Sequence, residues 1–428
     1  MVWPETFMNK AFALIDCNCF YVSCERIFRA DIRTRPTIVL SNNDGCAIAR
    51  SPEAKSLGIK MGEPYFKIKK LHEQKKLQVF SANFALYTNI SKRFSNIISS
   101  LAPRVEVYSI DETFADLTGL NNLTDLGLRI HAKILDELKI PTCVGIAPTK
   151  VLAKLANKLA KKSSKSNVIN LIDSKHLELA LKMTAIEDVW GIGRASSEKL
   201  KLLGIETALD FKNFDNDLII QRLLSKVGLA IKKELQGISC FDLEYAADRK
   251  KSIMCSRTFA QDIYEKSALK EIVANFTSDV ACELRRQKSL CKEISIYARA
   301  NRFNDKLIQH KSFEKITLIN PTSNTFTLIS KALELVDKMY QDGLSYKKIG
   351  VQITNFFDND NYQVDFFYPY DTDRDEKIMK TLDQINLFEG KDKLKSLACG
   401  LNRKSWSMNR NFKSPAYLTS WDELFNFG

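Results

Sequence analysis

The sequence predicts an α+β protein of several domains, and three observations carry that expectation. Short apolar runs such as AFALI (residues 11–15) and TIVL (37–40) have the character of buried strands. Segments with helical spacing, such as 20–28, 87–100 and 124–138, alternate with them. The chain has 428 residues, 45% of them hydrophobic, which suffices for roughly two to four separate cores.

In chain order, the strand at 11–15 ends in Asp16 and is followed by the helix at 20–28. Arg35-Pro36 closes the connection to the strand at 37–40, and SNNDG (41–45) is a turn. A strand begins at 78–80, a helix covers 87–100, and the hairpin VEVYSIDETFADL spans 105–117. A helix at 124–138, a strand at 142–146 and a helix from 149 complete this part. That order suits an antiparallel or mixed sheet with helices on one face. Two short helical units with glycine corners span 175–237. A second α+β segment covers 253–356, with a long helix near 269–288 and strands near 293–299 and 348–354. Between 357 and 376 stand seven acids and one arginine, the composition of a linker or surface arm. The last fifty residues are partly basic, with Arg403, Lys404, Arg410 and Lys413.

The formal net charge is +13. An excess of that size points to a polyanionic partner, nucleic acid before an anionic membrane. No apolar run approaches a membrane span, and MVWPETFMNK is not a signal peptide. Ten scattered cysteines without a Cys-x-x-Cys read as small buried hydrophobes in a reducing cytoplasm. The four histidines, at 72, 131, 176 and 310, are far apart in sequence, so a histidine metal site or triad is not expected.

The hairpin interrupts its own alternation with Asp111 and Glu112 side by side. Neighbouring strand residues point to opposite faces, so two adjacent acids converge only where the backbone bends. If the strand ending in Asp16 lies beside this hairpin, three carboxylates meet at one sheet edge. Three crowded anions call for cations, and hard oxygen ligands select Mg²⁺. Two such ions clamp the attacking and leaving oxygens of an in-line phosphoryl displacement.

TKVLAKLANKLAKK (149–162) is helical, and Lys150, Lys154, Lys158 and Lys161 fall within one quarter of its circumference. Leu152, Leu155 and Leu159 lie opposite. No acids alternate with the lysines, so the row is expected to be free of salt bridges and suited to a triphosphate or a DNA backbone. Farther on, DVWGIGRASSEKLKLLGIET (188–207) holds Gly191-Ile192-Gly193, a helix, and Gly204 where that helix ends. Glycines there turn backbone N–H groups toward a phosphate, and Lys199 and Lys201 add charge.

DCNCFYVSCE, SIDETFADLTG, VGIAPTKVLAKLANKLAKK and DVWGIGRASSEKL together resemble a Y-family DNA polymerase, over residues 11–356. The resemblance implies a right-hand fold. Its ferredoxin-like catalytic palm would comprise 1–20 and 81–174, with small fingers at 21–80. A helix-hairpin-helix thumb would cover 175–240 and an α+β little finger 250–356. The remainder, 357–428, would hold the acidic linker and tail. It implies that Asp16, Asp111 and Glu112 bind two Mg²⁺ ions, joined by the backbone carbonyl of Cys17. Phe20 and Tyr21 would line the dNTP site, with Tyr21 as the steric gate that excludes a 2′-hydroxyl. Lys161 would contact the triphosphate, as would Lys55, beside which Pro52 stands where many relatives carry Tyr. Gly191, Ile192, Gly193 and Lys199 would grip primer–template DNA, and Arg257 would meet template phosphates. Gln384-Ile385-Asn386-Leu387-Phe388 resembles the pentapeptide that bacterial replication proteins insert into the sliding clamp, with Leu387 and Phe388 as apolar anchors.

The implied activity is error-prone, template-directed translesion synthesis during the SOS response, without proofreading. Short fingers enclose the nascent pair loosely, so shape selection is weak. By resemblance alone, a processed UmuD-like dimer and RecA are partners. The first ten residues exceed the family's usual start, with Met8 as an alternative initiation site. Two other readings stay open: a DNA-binding scaffold with an inactive palm, and another two-metal enzyme such as a nucleotidyl cyclase.

Overall fold

A computed structural model describes residues 10–163, 167–172, 174–244, 249–358, 362, 367, 372–401, 406–418 and 420–423. The first nine residues, most of the acidic stretch and the Arg403-Lys404 pair lie outside the described residues. The chain forms two compact units, one of residues 1–247 and 410–428, the other of 248–409.

In the first unit, β1 (Phe12–Cys17) leads into α1 (Phe20–Phe28). Then come β2 (Thr37–Leu40), β3 (Ala47–Arg50), α2 (Pro52–Ser56), α3 (Tyr65–Glu73) and β4 (Gln78–Ser81). These strands make a small sheet in the order β3-β2-β4 over its own apolar cluster. Helix α4 (Phe84–Ser99) starts at an Asn83 cap and precedes the hairpin β5 (Arg104–Val107) and β6 (Glu112–Asp116). Next are α5 (Leu123–Leu138), β7 (Thr142–Ala147), α6 (Lys150–Ser163) and β8 (Val168–Asn170). The five-stranded sheet has the order β5-β6-β1-β7-β8, with β1 antiparallel to both neighbours.

The expectation of helices on one face of this sheet is corrected. Ala13 and Ile15 pack with Phe94 of α4 and Ile130 and Ile134 of α5, whereas Phe12 and Leu14 pack with Val151, Leu152 and Leu155 of α6. All six residues of β1 are buried. A strand that is apolar at successive positions needs cover on both faces, and α6 supplies the second layer. Gly145 of β7 permits the close approach of α6, because a Cβ there would stand 2.1 Å from the backbone nitrogen of Asn157. Four further helices, α7 (Leu177–Lys182), α8 (Arg194–Lys201), α9 (Ala208–Asn213) and α10 (Asp217–Leu235), extend the α6 layer through Phe211 and Ile231, and the turn between α7 and α8 adds Ile186 and Ile192.

The second unit runs β9 (Ser252–Ile263), α11 (Lys266–Arg286), β10 (Ser289–Arg299), β11 (Lys311–Thr322), α12 (Thr325–Met339), β12 (Tyr346–Asp358) and α13 (Thr372–Phe388). Its antiparallel sheet has the order β11-β10-β12-β9. Helices α11 and α12 cover one face. β9 and β11 alternate between exposed and sheltered residues, the pattern of a sheet that is open on its other side. All ten cysteines are free thiols, but Cys240 is exposed and four others are half-buried, so not all are core hydrophobes. No helix among the described residues is long and apolar enough to cross a membrane.

Candidate active site

The register of β1 against β6 brings the acids together. Asp16 lies directly opposite Glu112. The Cys17 N–H donates to the Asp111 carbonyl at 2.9 Å, which ties the turn before β6 to the end of β1. Ser109 holds that turn. Its hydroxyl accepts from the Asp111 and Glu112 amides at 3.3 and 3.1 Å and donates to Asp111 Oδ1 at 2.6 Å. The sequence marks these residues only as a place where the strand bends; pairing with β1 makes the bend a site.

The Asp16 carboxyl is buried and pushed up to about 7. Loss of hydration is the main cause; Lys161 opposes it, and the charges of Glu112 and Asp111 add to it. Lys161 Nζ meets Asp16 Oδ2 at 2.5 Å, and Lys154 Nζ meets Glu112 Oε2 at 3.0 Å. Lys154 also lies over the rings of Tyr108 and Trp190. Among the described residues no three His, Cys, Asp or Glu side chains are gathered as a metal cage. Each of the three acids instead faces its own ammonium or hydroxyl partner. The donor set nonetheless suits a hard divalent cation: three carboxylates at one strand end, one of them disfavoured as an anion by burial and by its neighbours.

The lysine row differs from the expectation of free ammonium groups. Lys150 is buried and pairs with Glu106 at 2.7 Å, Lys158 pairs with Asp188, and Lys154 and Lys161 hold the acids just described. The acids that lace the row come from other elements, which a search within the helix sequence does not reveal. Leu152 and Leu155 are buried and Leu159 is partly so.

Phe20 is buried in the core cluster that holds Ala13 and Ile15. Tyr21, half-buried, stacks on Tyr87 with ring centroids 4.6 Å apart and meets the edge of Phe84 at 5.9 Å. Burial, and after it the charge of Asp111, pushes its phenol up. Cys19, in the left-handed region at φ 50°, opens α1. Lys55 is exposed on α2, where Ser51 caps a helix begun by Pro52, and its Nζ reaches Cys19 Sγ at 3.6 Å.

Gly191 has φ +88°, and a Cβ there would meet Ile231 Cδ1 at 2.6 Å. Ile192 is buried, Gly193 caps α8, and Lys199 is exposed in that helix's last turn. Lys201 is engaged by Glu187 at 3.0 Å. In the second unit, the Arg257 guanidinium lies over Phe276 and Trp406, 5.5 Å from each ring, on the helix-covered side of its sheet. Residues 384–388 end α13, and Leu387 and Phe388 are 76% and 80% exposed.

Sequence reasoning missed three supporting residues. Glu106 receives the buried Lys150. Glu25, inside α1, is buried with Tyr87 bonded to it. Asn157 donates its amide to the carbonyls of Leu14 and Cys143 at 3.1 and 2.7 Å, fastening α6 to both central strands. Its signal was a lone amide in a stripe of alanines.

Three family models match. That of the impB/mucB/samB family covers residues 15–158, that of the family's C-terminal domain 250–366, and a domain of unknown function (DUF4113) 376–426. Protein UmuC of Salmonella typhimurium is 39% identical, with 96% of this chain and 99% of that protein aligned. Protein ImpB of Salmonella typhimurium is 36% identical over 96% and 98%. DNA polymerase IV of Clostridium kluyveri is 26% identical over 88% and 93%. A solved Y-family DNA polymerase chimera of Dbh and Dpo4 has the same fold, with TM-score 0.63, 21% identity and coverage of 82% of this chain and 100% of that one. The chain thus belongs to the impB/mucB/samB family of UmuC relatives, and its fold is that of a Y-family DNA polymerase.

Proposed function

We propose that this polymerase copies damaged templates, adding dNTPs to a primer 3′-hydroxyl by two-metal phosphoryl transfer with low fidelity and no proofreading. The observation that carries this reading is the meeting of Asp16, Asp111 and Glu112 where the end of β1 faces the start of β6. The palm is assigned to 1–20 and 81–174, the fingers to 21–80, the thumb to 175–240 and the little finger to 250–356. The tail is 357–428. Asp16, Asp111, Glu112 and the Cys17 carbonyl would together hold two Mg²⁺ ions. When bound, the ions supply Lewis-acid stabilisation of the entering and leaving oxygens. Lys161 and Lys154 now neutralise Asp16 and Glu112. Lys161 would hold a triphosphate oxygen, and Lys55 would approach it from the fingers side. The Gly191–Gly193 corner and Lys199 would contact the DNA backbone without reading sequence. Arg257, braced by two rings, would reach a template phosphate only from the rim of its sheet.

By kinship with UmuC, we assign the chain to cytoplasmic SOS mutagenesis, with a processed UmuD-like dimer, RecA and the sliding clamp as partners. The test is primer extension past a damaged base, adding clamp, RecA filament and UmuD-like partner one at a time. No extension with all of them present would favour an inactive scaffold.

Two narrower outcomes are expected. Tyr21→Ala should lower discrimination against ribonucleotides by roughly 100-fold, because the ring no longer crowds a 2′-hydroxyl. An unchanged dNTP-to-rNTP ratio would remove Tyr21 from the gate role. Replacing both Leu387 and Phe388 by Ala should weaken clamp binding by about 30-fold or more, the scale of lost apolar anchors, with clamp-free extension unaltered. Wild-type clamp affinity in a surface-binding titration would refute the motif.

A further inference from the structure

Residues 411–418, within the stretch matched by the domain of unknown function, pack into the first unit. Asn411 N–H donates to Asp44 Oδ2 at 2.8 Å. Phe412 and Ser81 exchange bonds at 2.9 Å, and Lys413 bridges in parallel to Ser81 at the end of β4. Phe412 sets its ring against Tyr65 and His72, and Tyr417 stacks on Phe28 with centroids 4.6 Å apart.

Between these anchors stands Ser414, itself buried. It accepts from Asn83 Nδ2 at 3.0 Å and donates to Glu25 Oε1 at 3.1 Å. Asn83 is the cap of α4, and Glu25 lies on α1 one turn beyond Tyr21. Tyr87 of α4 donates to the same Glu25 oxygen at 2.7 Å. Tyr87 is fully buried, and its ring is the surface on which Tyr21 stacks, inclined by 18°. The tail is therefore joined to Tyr21 by a continuous chain of contacts: Ser414, Glu25, Tyr87, Tyr21.

Glu25 is a costly residue for packing alone. It is buried, its Oε2 has no hydrogen-bond partner among the described residues, and loss of hydration holds its carboxyl up at about 7. An apolar side chain would avoid that desolvation. Polar groups kept in a core at such a cost are expected where position serves function.

We propose that segment 411–418 is a strap for sugar selection, in which Ser414, through Glu25 and Tyr87, sets the plane and height of the Tyr21 ring. The proposal rests on Tyr21 being the steric gate. Ser414, Glu25 and Tyr87 are positioning residues that act through the Tyr21 ring. A gate works by crowding one hydroxyl, and misplacement by about 1 Å can change such discrimination by as much as 10²-fold.

The test uses the full chain on primer–template DNA with a dNTP and its matching rNTP. The readout is the ratio of their kcat/KM values, with KM and kcat resolved for each. Tyr87→Phe keeps the stacked ring and removes its bond to Glu25; Ser414→Ala removes the tail's bond. Each should lower the ratio about 5- to 20-fold by easing rNTP binding, with kcat for dNTP within about twofold of wild type. A purely structural role would depress both nucleotides together and leave the ratio alone. Tyr21→Ala is measured in parallel. If it destroys discrimination while either positioning variant keeps the wild-type ratio, the strap is overturned and the gate stands. If Tyr21→Ala itself keeps the wild-type ratio, the gate assignment fails and the strap with it.

Discussion

Asp111→Asn should abolish nucleotide addition, lowering single-turnover extension by on the order of 10³-fold or more, while the protein stays folded. The amide has nearly the shape of the carboxyl and still accepts from Ser109, whose hydroxyl now donates to Oδ1 at 2.6 Å. Only the charge is lost. Asp111 contributes to the crowding that disfavours the Asp16 anion, so its removal relieves repulsion at the site. The melting temperature is therefore expected to hold or rise slightly. That pairing of outcomes separates a lost metal ligand from a damaged fold. Extension above a tenth of wild type would take Asp111 out of the metal set, and an unfolded variant would show that the turn, rather than the charge, was altered.

Gly145→Ala should have the largest effect on stability, about 4 kcal/mol or more, because the new methyl has nowhere to go. Its Cβ would lie 2.1 Å from the Asn157 nitrogen and 2.3 Å from the Ala153 carbonyl oxygen, both backbone atoms of α6. Backbone cannot swing aside as the tip of a side chain can, so the helix must lift from β7. Lifting it pulls the Asn157 amide from the Leu14 and Cys143 carbonyls. It also carries Lys154 and Lys161 away from Glu112 and Asp16. Thermal and urea unfolding should show the loss, with extension reduced in parallel. Gly193→Ala is the contrast: a Cβ there meets nothing within 4 Å among the described residues, and φ is −82°. It should cost under about 1 kcal/mol. Equal stability of the two variants would contradict the tight α6–β7 contact.

Local patterns disclosed some elements and hid others. The runs at 11–15, 37–40 and 142–146, and the helical spacing of 20–28 and 124–138, correspond closely to β1, β2, β7, α1 and α5. β3, β8, β9, β11 and α12 went unread. β9 and β11 each have one face open to water, so serines, threonines and charged residues interrupt their apolar positions. The bend before Glu112 was legible because two adjacent acids break a period of two.

By itself the sequence determined which segments are apolar, where the strands bend, which acids stand at the bend and which side of a helix its lysines occupy. Only the tertiary structure decided what those charges meet. Lys161 finds Asp16 across 145 positions, Lys154 finds Glu112 across 42, and Ser414 finds Glu25 across 389. Periodicity is a property of neighbours along the chain, and it orients a side chain without naming what faces it. Partners are chosen by strand register and by the depth at which one layer settles on another, and both are set by packing across the whole fold.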